Sequence, residues 1–239
     1  MPVVEWKKED TVAVITMNNG ENRHNPAFAR GMLAAYDEIV NDDAINAIVI
    51  TSADAKSWSQ GIDLAWIAPA FSSKDFASIR QFMYDMNEVF KRNLLLPMPT
   101  IAAINGHAAG NGSVLACSCD FRLMKADKGY FFFPEVDVDI PFLPSMQEMM
   151  KKAFPYYKLQ EAVMTGKRYG ARELEAHHVI VNASDNAETV MADALAFARS
   201  FQKKRPIFGE LKKRLHKHII VAMENEDPAY IEPVDLLKQ

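Results

Sequence analysis

Cysteine is scarce: there are two in 239 residues, Cys117 and Cys119. They stand too close together for an ordinary disulfide, and no second cysteine or histidine pair completes a zinc site. Two small buried thiols in a reducing compartment is the reading that remains. His177, His178, His216 and His218 have no acid or cysteine spacing that would hold a metal, so none is expected. No run approaches the roughly 18 consecutive apolar residues of a membrane helix. The opening MPVVEWKKEDT lacks a basic segment followed by an apolar one, so no signal peptide is expected. The closing DLLKQ is not an SKL-type peroxisomal address. A formal net charge of −4 gives no reason to expect nucleic acid. These absences lead to the expectation of a cytoplasmic protein with neither nucleic acid nor membrane as partner.

What is present is ordinary for a globular chain: 49% hydrophobic and 24% charged residues, and enough length for one large domain or a domain with an appendage. The 13 methionines serve mainly as core filler, with some available to line an adaptable pocket. Alternation predicts strands over 2–7 and 11–17 with Lys8, Glu9 and Asp10 as the turn. Asn25-Pro26 marks a helix start, and Phe28, Met32, Leu33, Tyr36, Ile39 and Val40 give 27–41 a helical stripe. Further strands are predicted over 46–52, 100–104, 119–125 and 130–133. A long helix is predicted over 72–95, capped by Ser72 or Ser73 and ended by Pro97 and Pro99. From about 144 the pattern is mostly helical, with a short apolar piece at 178–183 and two last helices over 187–204 and 206–224. The result is an α/β core with a helical C-terminal part.

The chemistry concentrates in 105–120, NGHAAGNGSVLACSCD. A strand, a glycine turn and a helix in that order bring backbone N–H groups to a helix N-terminus, where negative charge is stabilised. Fifteen residues past Asp120 stands Glu135, in the apolar setting YFFFPEVDVDI. An earlier loop, SWSQGIDLAW, carries a second glycine turn at Gly61 that frees the N–H of Ile62. Two such turns meet the requirement of a two-donor oxyanion hole. A dinucleotide fingerprint is excluded, because GNGSVL lacks the third glycine and lies deep in the chain.

At this level of detail the sequence resembles the enoyl-CoA hydratase/isomerase (crotonase) superfamily. WSQGIDL matches the family's F-S-x-G-x-D-L loop, and PTIAAINGHAAGNGSVLACSCDFRLM matches its strand, glycine loop and helix. The order and spacing agree over about residues 2–200. The resemblance implies a spiral of ββα repeats over 1–190 and a C-terminal helical, oligomer-forming region over 191–239. It implies an acyl-CoA substrate, no cofactor beyond the coenzyme A of that thioester, and a homotrimer or hexamer. It also implies that the Ile62 and Asn111 N–H groups hold the thioester oxygen. Asn111 stands where many members have glycine, so a left-handed conformation there would be strained. Arg23, Ser59, Gly61, Asp63, Leu64 and Gly110 fall at positions implied to bind substrate or CoA, with Arg23 near the CoA phosphates.

The acids discriminate among reactions. Hydratases of the superfamily have two glutamates, and the first of those positions is Val114 here, the second Glu135. One carboxylate is poorly equipped to add water, but one base suffices to move a double bond from C3 to C2. The sequence is therefore most like the Δ3,Δ2-enoyl-CoA isomerases, with Glu135 as the catalytic base and apolar neighbours (Phe131 to Phe133, Val136, Ile140, Phe142) raising its pKa. The alternatives are another crotonase-type reaction (hydration, thioester hydrolysis, decarboxylation) or a non-catalytic acyl-CoA-binding protein. Asp63 is expected to cap the helix after Gly61, Asp120 to hold its loop by hydrogen bonds, and His107 to make a structural hydrogen bond. Asp137 and Asp139 are expected to point outward from a strand-like stretch. The basic stretch 203–217 is expected to be a solvated helix face, or to meet CoA phosphates.

Overall fold

The computed structural model describes residues 2–234; the closing DLLKQ and the end of the proposed C-terminal region lie outside the described residues. The chain begins with an antiparallel pair, β1 (Val4–Glu9) and β2 (Val12–Met17). The turn falls at Asp10-Thr11, later than 8–10, because Glu9 still pairs with Val12 and Asp10 takes the positive φ of 57°. Then come β3 (Arg23–His24) and α1 (Pro26–Val40). Asn25 caps α1 by accepting from the Ala27 and Phe28 N–H groups, as the Asn-Pro pair predicts.

Three turns of similar plan follow. The first runs β4 (Ala47–Ser52), β5 (Ser57–Ser59), β6 (Gly61–Ile62), α2 (Leu64–Ser72) and α3 (Phe76–Leu95). The second runs β7 (Thr100–Ile104), β8 (His107–Ala109) and α4 (Asn111–Ser118). The third runs β9 (Phe121–Lys125), β10 (Phe131–Phe132), a 3-10 turn at Pro134–Val136 and α5 (Pro144–Ala153). Corresponding strands stack in parallel: β2, β4, β7 and β9 in one sheet, β5, β8 and β10 in another. Each successive turn thus advances by one strand, which makes the chain a spiral of ββα repeats. The remainder is α6 (Tyr156–Thr165), α7 (Ala171–Ala176), β11 (Asn182–Ser184), α8 (Ala187–Arg199), α9 (Arg205–Leu215), α10 (Lys217–Asn225) and α11 (Pro228–Ile231).

In the main sheet, β1-β2-β4-β7-β9-β11, the strands β2, β4 and β7 are buried on both faces and so are mostly apolar. Ala13, Ile15, Ile48, Ile50 and Ala102 face the principal core with α1 and α3. Val12, Val14, Val49, Ile101 and Ala103 face α8 through its Val190, Ala194 and Ala198.

Three helix boundaries differ from expectation. The predicted helix over 72–95 is the second of two: α2 ends at Ser72, and Asp75, not Ser72 or Ser73, caps α3 by accepting from Ser78 N–H. The predicted 206–224 helix breaks at His216 into α9 and α10, and the predicted 187–204 helix stops at Arg199. The 130–133 strand shortens to Phe131–Phe132.

Candidate active site

The second sheet brings the site together. Because β10 runs parallel to β8, the residues that follow the two strands emerge side by side. Gly110 N–H donates to Phe132 O at 3.1 Å, and Ser113 Oγ donates to Phe132 O at 2.9 Å and to Ala108 O at 2.8 Å. These bonds seat the start of α4 against the segment that carries Glu135. The approach is so close that a β-carbon at Gly110 would lie 2.9 Å from Glu135 Oε1, and Gly110 also takes a φ of 53°. Only glycine meets both demands at low cost.

The other loop arrives by the same logic. Gly61, at φ 74°, passes so near α4 that a β-carbon there would lie 2.8 Å from Ala109 O and 3.0 Å from Asn111 N. Asp63 caps α2, accepting from Ala65 and Trp66 N–H, and accepts a further bond from Asn25 Nδ2 at 2.9 Å, so it holds the loop as expected. Asn111 is not left-handed: it opens α4, and Gly110 before it absorbs the positive φ. The anticipated strain at Asn111 is therefore absent. The first N–H groups of a helix have no intrahelical partners, and in α4 no side-chain cap takes them up at the end where the helix dipole is positive.

Ile62, Asn111 and Glu135 line one narrow cavity of about 60 Å³. Its other walls are apolar: Ile67 of α2, Phe82, Met83 and Met86 of α3, and Ile140, Phe142 and Met146 across from them. Glu135 is the one ionisable side chain among these lining residues. Burial pushes its carboxyl up to about 8, partly offset by a backbone hydrogen bond, and its buried Oε2 has no hydrogen-bond partner. Ile140 and Phe142 share this environment, whereas Val136 is 48% exposed and does not. Val114 is fully buried in the core and does not line the cavity.

Of the remaining candidates, Ser59 is buried behind the cavity, its Oγ accepting from Gly61 N–H at 3.2 Å. Arg23 pairs with Gly61 through the β3–β6 ladder, but its guanidinium sits on Glu21 at 2.9 Å. Leu64 opens α2 with 57% exposure, outside the cavity. Asp137 and Asp139 are not on a strand: a 3-10 turn at Pro134–Val136 leads into a bend, with Asp139 at φ 55°. His107 accepts from Tyr130 N–H at 3.2 Å, and Asp120 accepts from both the N–H and the hydroxyl of Thr100, structural roles in both cases. The basic stretch is not uniformly solvated, since Lys212 is buried against Asp120 at 2.6 Å and Arg205 donates to the Val40 and Ile45 carbonyls.

Sequence reasoning anticipated methionines on the pocket and Phe142 beside Glu135, but did not single out Phe82, Met83, Met86 or Met146, for which the apolar stripe of α3 was the signal. It also missed His24, a histidine in a polar loop with nothing in its neighbours to mark it. Its ring nitrogens lie 2.9 Å from Ser59 Oγ and 2.9 Å from Asn111 Nδ2.

A spiral of ββα repeats with two glycine turns and one buried carboxyl around an apolar slot is the arrangement the family motifs imply. The chain belongs to the enoyl-CoA hydratase/isomerase family, whose model matches residues 7–232. It is similar to the peroxisomal enoyl-CoA delta isomerase 2 of Arabidopsis thaliana, at 27% identity over 95% of this chain and 97% of that protein. A putative enoyl-CoA hydratase of Thermus thermophilus is 29% identical over 85% of this chain and 79% of its own. The solved apo structure of a Mycobacterium tuberculosis enoyl-CoA isomerase has the same fold, with a TM-score of 0.84 at 24% identity and 98% coverage of both chains. The fold is thus the crotonase type, and the protein is an enzyme of this family.

Proposed function

We propose that the protein is a Δ3,Δ2-enoyl-CoA isomerase that converts 3-enoyl-CoA to trans-2-enoyl-CoA with Glu135 as its single base. The observation that carries this reading is that Glu135 alone among the cavity-lining residues can exchange a proton. The substrate enters as a CoA thioester, with its carbonyl oxygen on the N–H groups of Ile62 and Asn111 and its acyl chain along the Met83, Met86 and Met146 wall. Glu135 Oε takes a proton from C2. The C–H pair of electrons spreads over the thioester carbonyl and C3–C4 as a dienolate. The two donors and the positive end of α4 hold the new charge on oxygen, a contribution of roughly 3–4 kcal/mol for one such donor. The carboxyl then returns the proton to C4 while the C2–C3 double bond forms, so Glu135 ends as it began.

No external cofactor takes part in these steps; coenzyme A is the handle of the substrate. Ser59, Gly61, Asp63 and Gly110 shape the donor loops, and Arg23 and the exposed Leu64, next to the first loop, would meet the CoA portion. The outward apolar residues of the C-terminal helices support assembly as a homotrimer or hexamer.

The test is to supply 3-hexenoyl-CoA and crotonyl-CoA separately. Conjugated enoyl-thioester absorbance should appear from the first and persist in the second. Loss of absorbance from crotonyl-CoA without isomerisation of 3-hexenoyl-CoA would identify a hydratase instead. Glu135→Gln should lower isomerisation by at least 10²–10⁴-fold while CoA-ester binding persists; retained turnover would remove Glu135 from the mechanism.

A further inference from the structure

We propose that His24 is a positioning residue that sets the separation of the two backbone N–H donors, Ile62 and Asn111, a role that rests on the reading of those donors given above. His24 touches both. Its backbone stands opposite Ile62 in the parallel β3–β6 pair, and its carbonyl accepts the N–H of Asp63 at 2.9 Å. Its ring reaches the other side, with Nδ1 2.9 Å from Asn111 Nδ2 and Nε2 2.9 Å from Ser59 Oγ. The ring thus adds a side-chain tether at the first residue of α4, beside the Gly110 and Ser113 bonds that seat the helix on Phe132 O.

The partners determine the tautomer. Ser59 Oγ lies 2.8 Å from Asn22 O, which can only accept, so the hydroxyl hydrogen goes there. Nε2 must then carry the ring proton and donate to Ser59 Oγ, which also accepts from Gly61 N–H. Nδ1 is left as the acceptor for the amide of Asn111. Every bond in the chain Asn111–His24–Ser59–Asn22 therefore has one donor and one acceptor. A stacked Phe28, 4.4 Å between centroids and 20° between planes, fixes the ring's tilt. Burial holds the imidazole neutral, its pKa pushed down to about 3, so the clamp does not titrate in the range where Glu135 does. The same orientation leaves Asn111 Oδ1 buried without a partner.

Two donors help catalysis only if they converge on one oxygen, and an error near 1 Å costs on the order of 10²-fold. A histidine that merely fills the core would affect stability alone. The distinguishing readout is ionisation of a bound enolisable ester, which needs no turnover. Acetoacetyl-CoA, whose enolate absorbs in the near ultraviolet, is bound to wild type, His24→Phe and Asn111→Ala and titrated with pH. His24→Phe keeps a stacking ring but no hydrogen bonds, and Asn111→Ala keeps the backbone N–H but frees it from the ring.

Both variants are expected to raise the midpoint of bound-enolate formation by about one pH unit and to lower kcat on 3-hexenoyl-CoA about 10–100-fold, with a much smaller change in KM. The double variant should lose no more than either single one. Unchanged ionisation in a folded His24→Phe, or losses that multiply in the double variant, would overturn the clamp; if His24→Phe does not fold, Asn111→Ala decides. If wild type does not isomerise 3-hexenoyl-CoA but the substitutions still shift the enolate midpoint, the isomerase reading fails and the clamp stands. If wild type isomerises and neither substitution shifts the midpoint, the clamp alone fails.

Discussion

As the base of the proposed reaction, Glu135 must be ionised, and its ionised fraction grows with pH. With its pKa near 8, kcat/KM should rise about tenfold per pH unit below that value and level off above it. A profile flat between pH 6 and 9 would contradict the assignment. The same shift has a consequence for stability. The folded carboxyl binds a proton more tightly than the unfolded one, whose ordinary value is 4.5, so the fold loses stability as pH rises from about 4.5 to about 8. Glu135→Gln removes that loss and should melt above wild type at pH 9, with little difference at pH 4. Equal melting temperatures at pH 9 would show that the carboxyl is better solvated than its surroundings imply. The residue itself was legible in the sequence, as the acid of the Pro134-Glu135 pair that closes an aromatic run. Its pairing with Gly110 was not, because contact between residues 25 positions apart follows from β8 and β10 lying side by side.

At the scale of elements, α4 links the site to the rest of the fold through its two ends. Its N-terminus, uncapped, faces the cavity. Its C-terminus is closed by Lys152 Nζ, which donates to Cys117 O at 3.0 Å and Cys119 O at 2.5 Å. Beside it, Asp120 joins three elements, accepting from Thr100 at the start of β7 and from Lys212 of α9 at 2.6 Å. Burial alone would raise the Asp120 pKa, but Lys212, His216 and Lys152 outweigh it and hold the carboxyl at about 2. This stabilisation is present above about pH 4 and is lost as pH falls towards 2. Asp120→Ala strands the buried Lys212 charge and should cost about 3–5 kcal/mol in urea unfolding at pH 7. The double variant Asp120→Ala/Lys212→Met should recover part of that loss; a single variant within 1 kcal/mol of wild type would contradict the pairing. Asp120 was legible as a loop anchor. Its partner was hidden in the basic stretch 203–217, where sequence pattern cannot separate one inward lysine from its solvated neighbours.

At the scale of the molecule, the C-terminal helices leave apolar side chains uncovered. Ile207, Leu211 and Leu215 of α9 and Val221 of α10 remain 42–69% exposed, an apolar set unusual for a solvated face. The proposed trimer or hexamer would cover them. Light scattering should give three or six times the mass of one chain, and Leu211→Glu/Leu215→Glu should reduce it to one; a monomeric wild type would remove the assembly. Among the described residues, no helix is long and apolar enough to cross a membrane.

By itself, the sequence determined the order of the main-sheet strands and the longer helices, the family and the short-range chemistry, but not the short strands β5 and β8 of the second sheet or the split of α2 from α3 and of α9 from α10. Alternation, glycine turns, an Asn-Pro cap and a Pro-Glu pair closing an aromatic run are local signals, and local physics reads them directly. It also placed Ile62, Asn111 and Glu135 as the residues to watch. Only the tertiary structure decided that these three share one cavity, that Gly110 and not Asn111 takes the left-handed turn, and that Lys212 is buried. His24 is the sharpest case. Its neighbours in sequence say nothing of Ser59 or Asn111, because both contacts form only when β3 pairs with β6 and α4 docks against them.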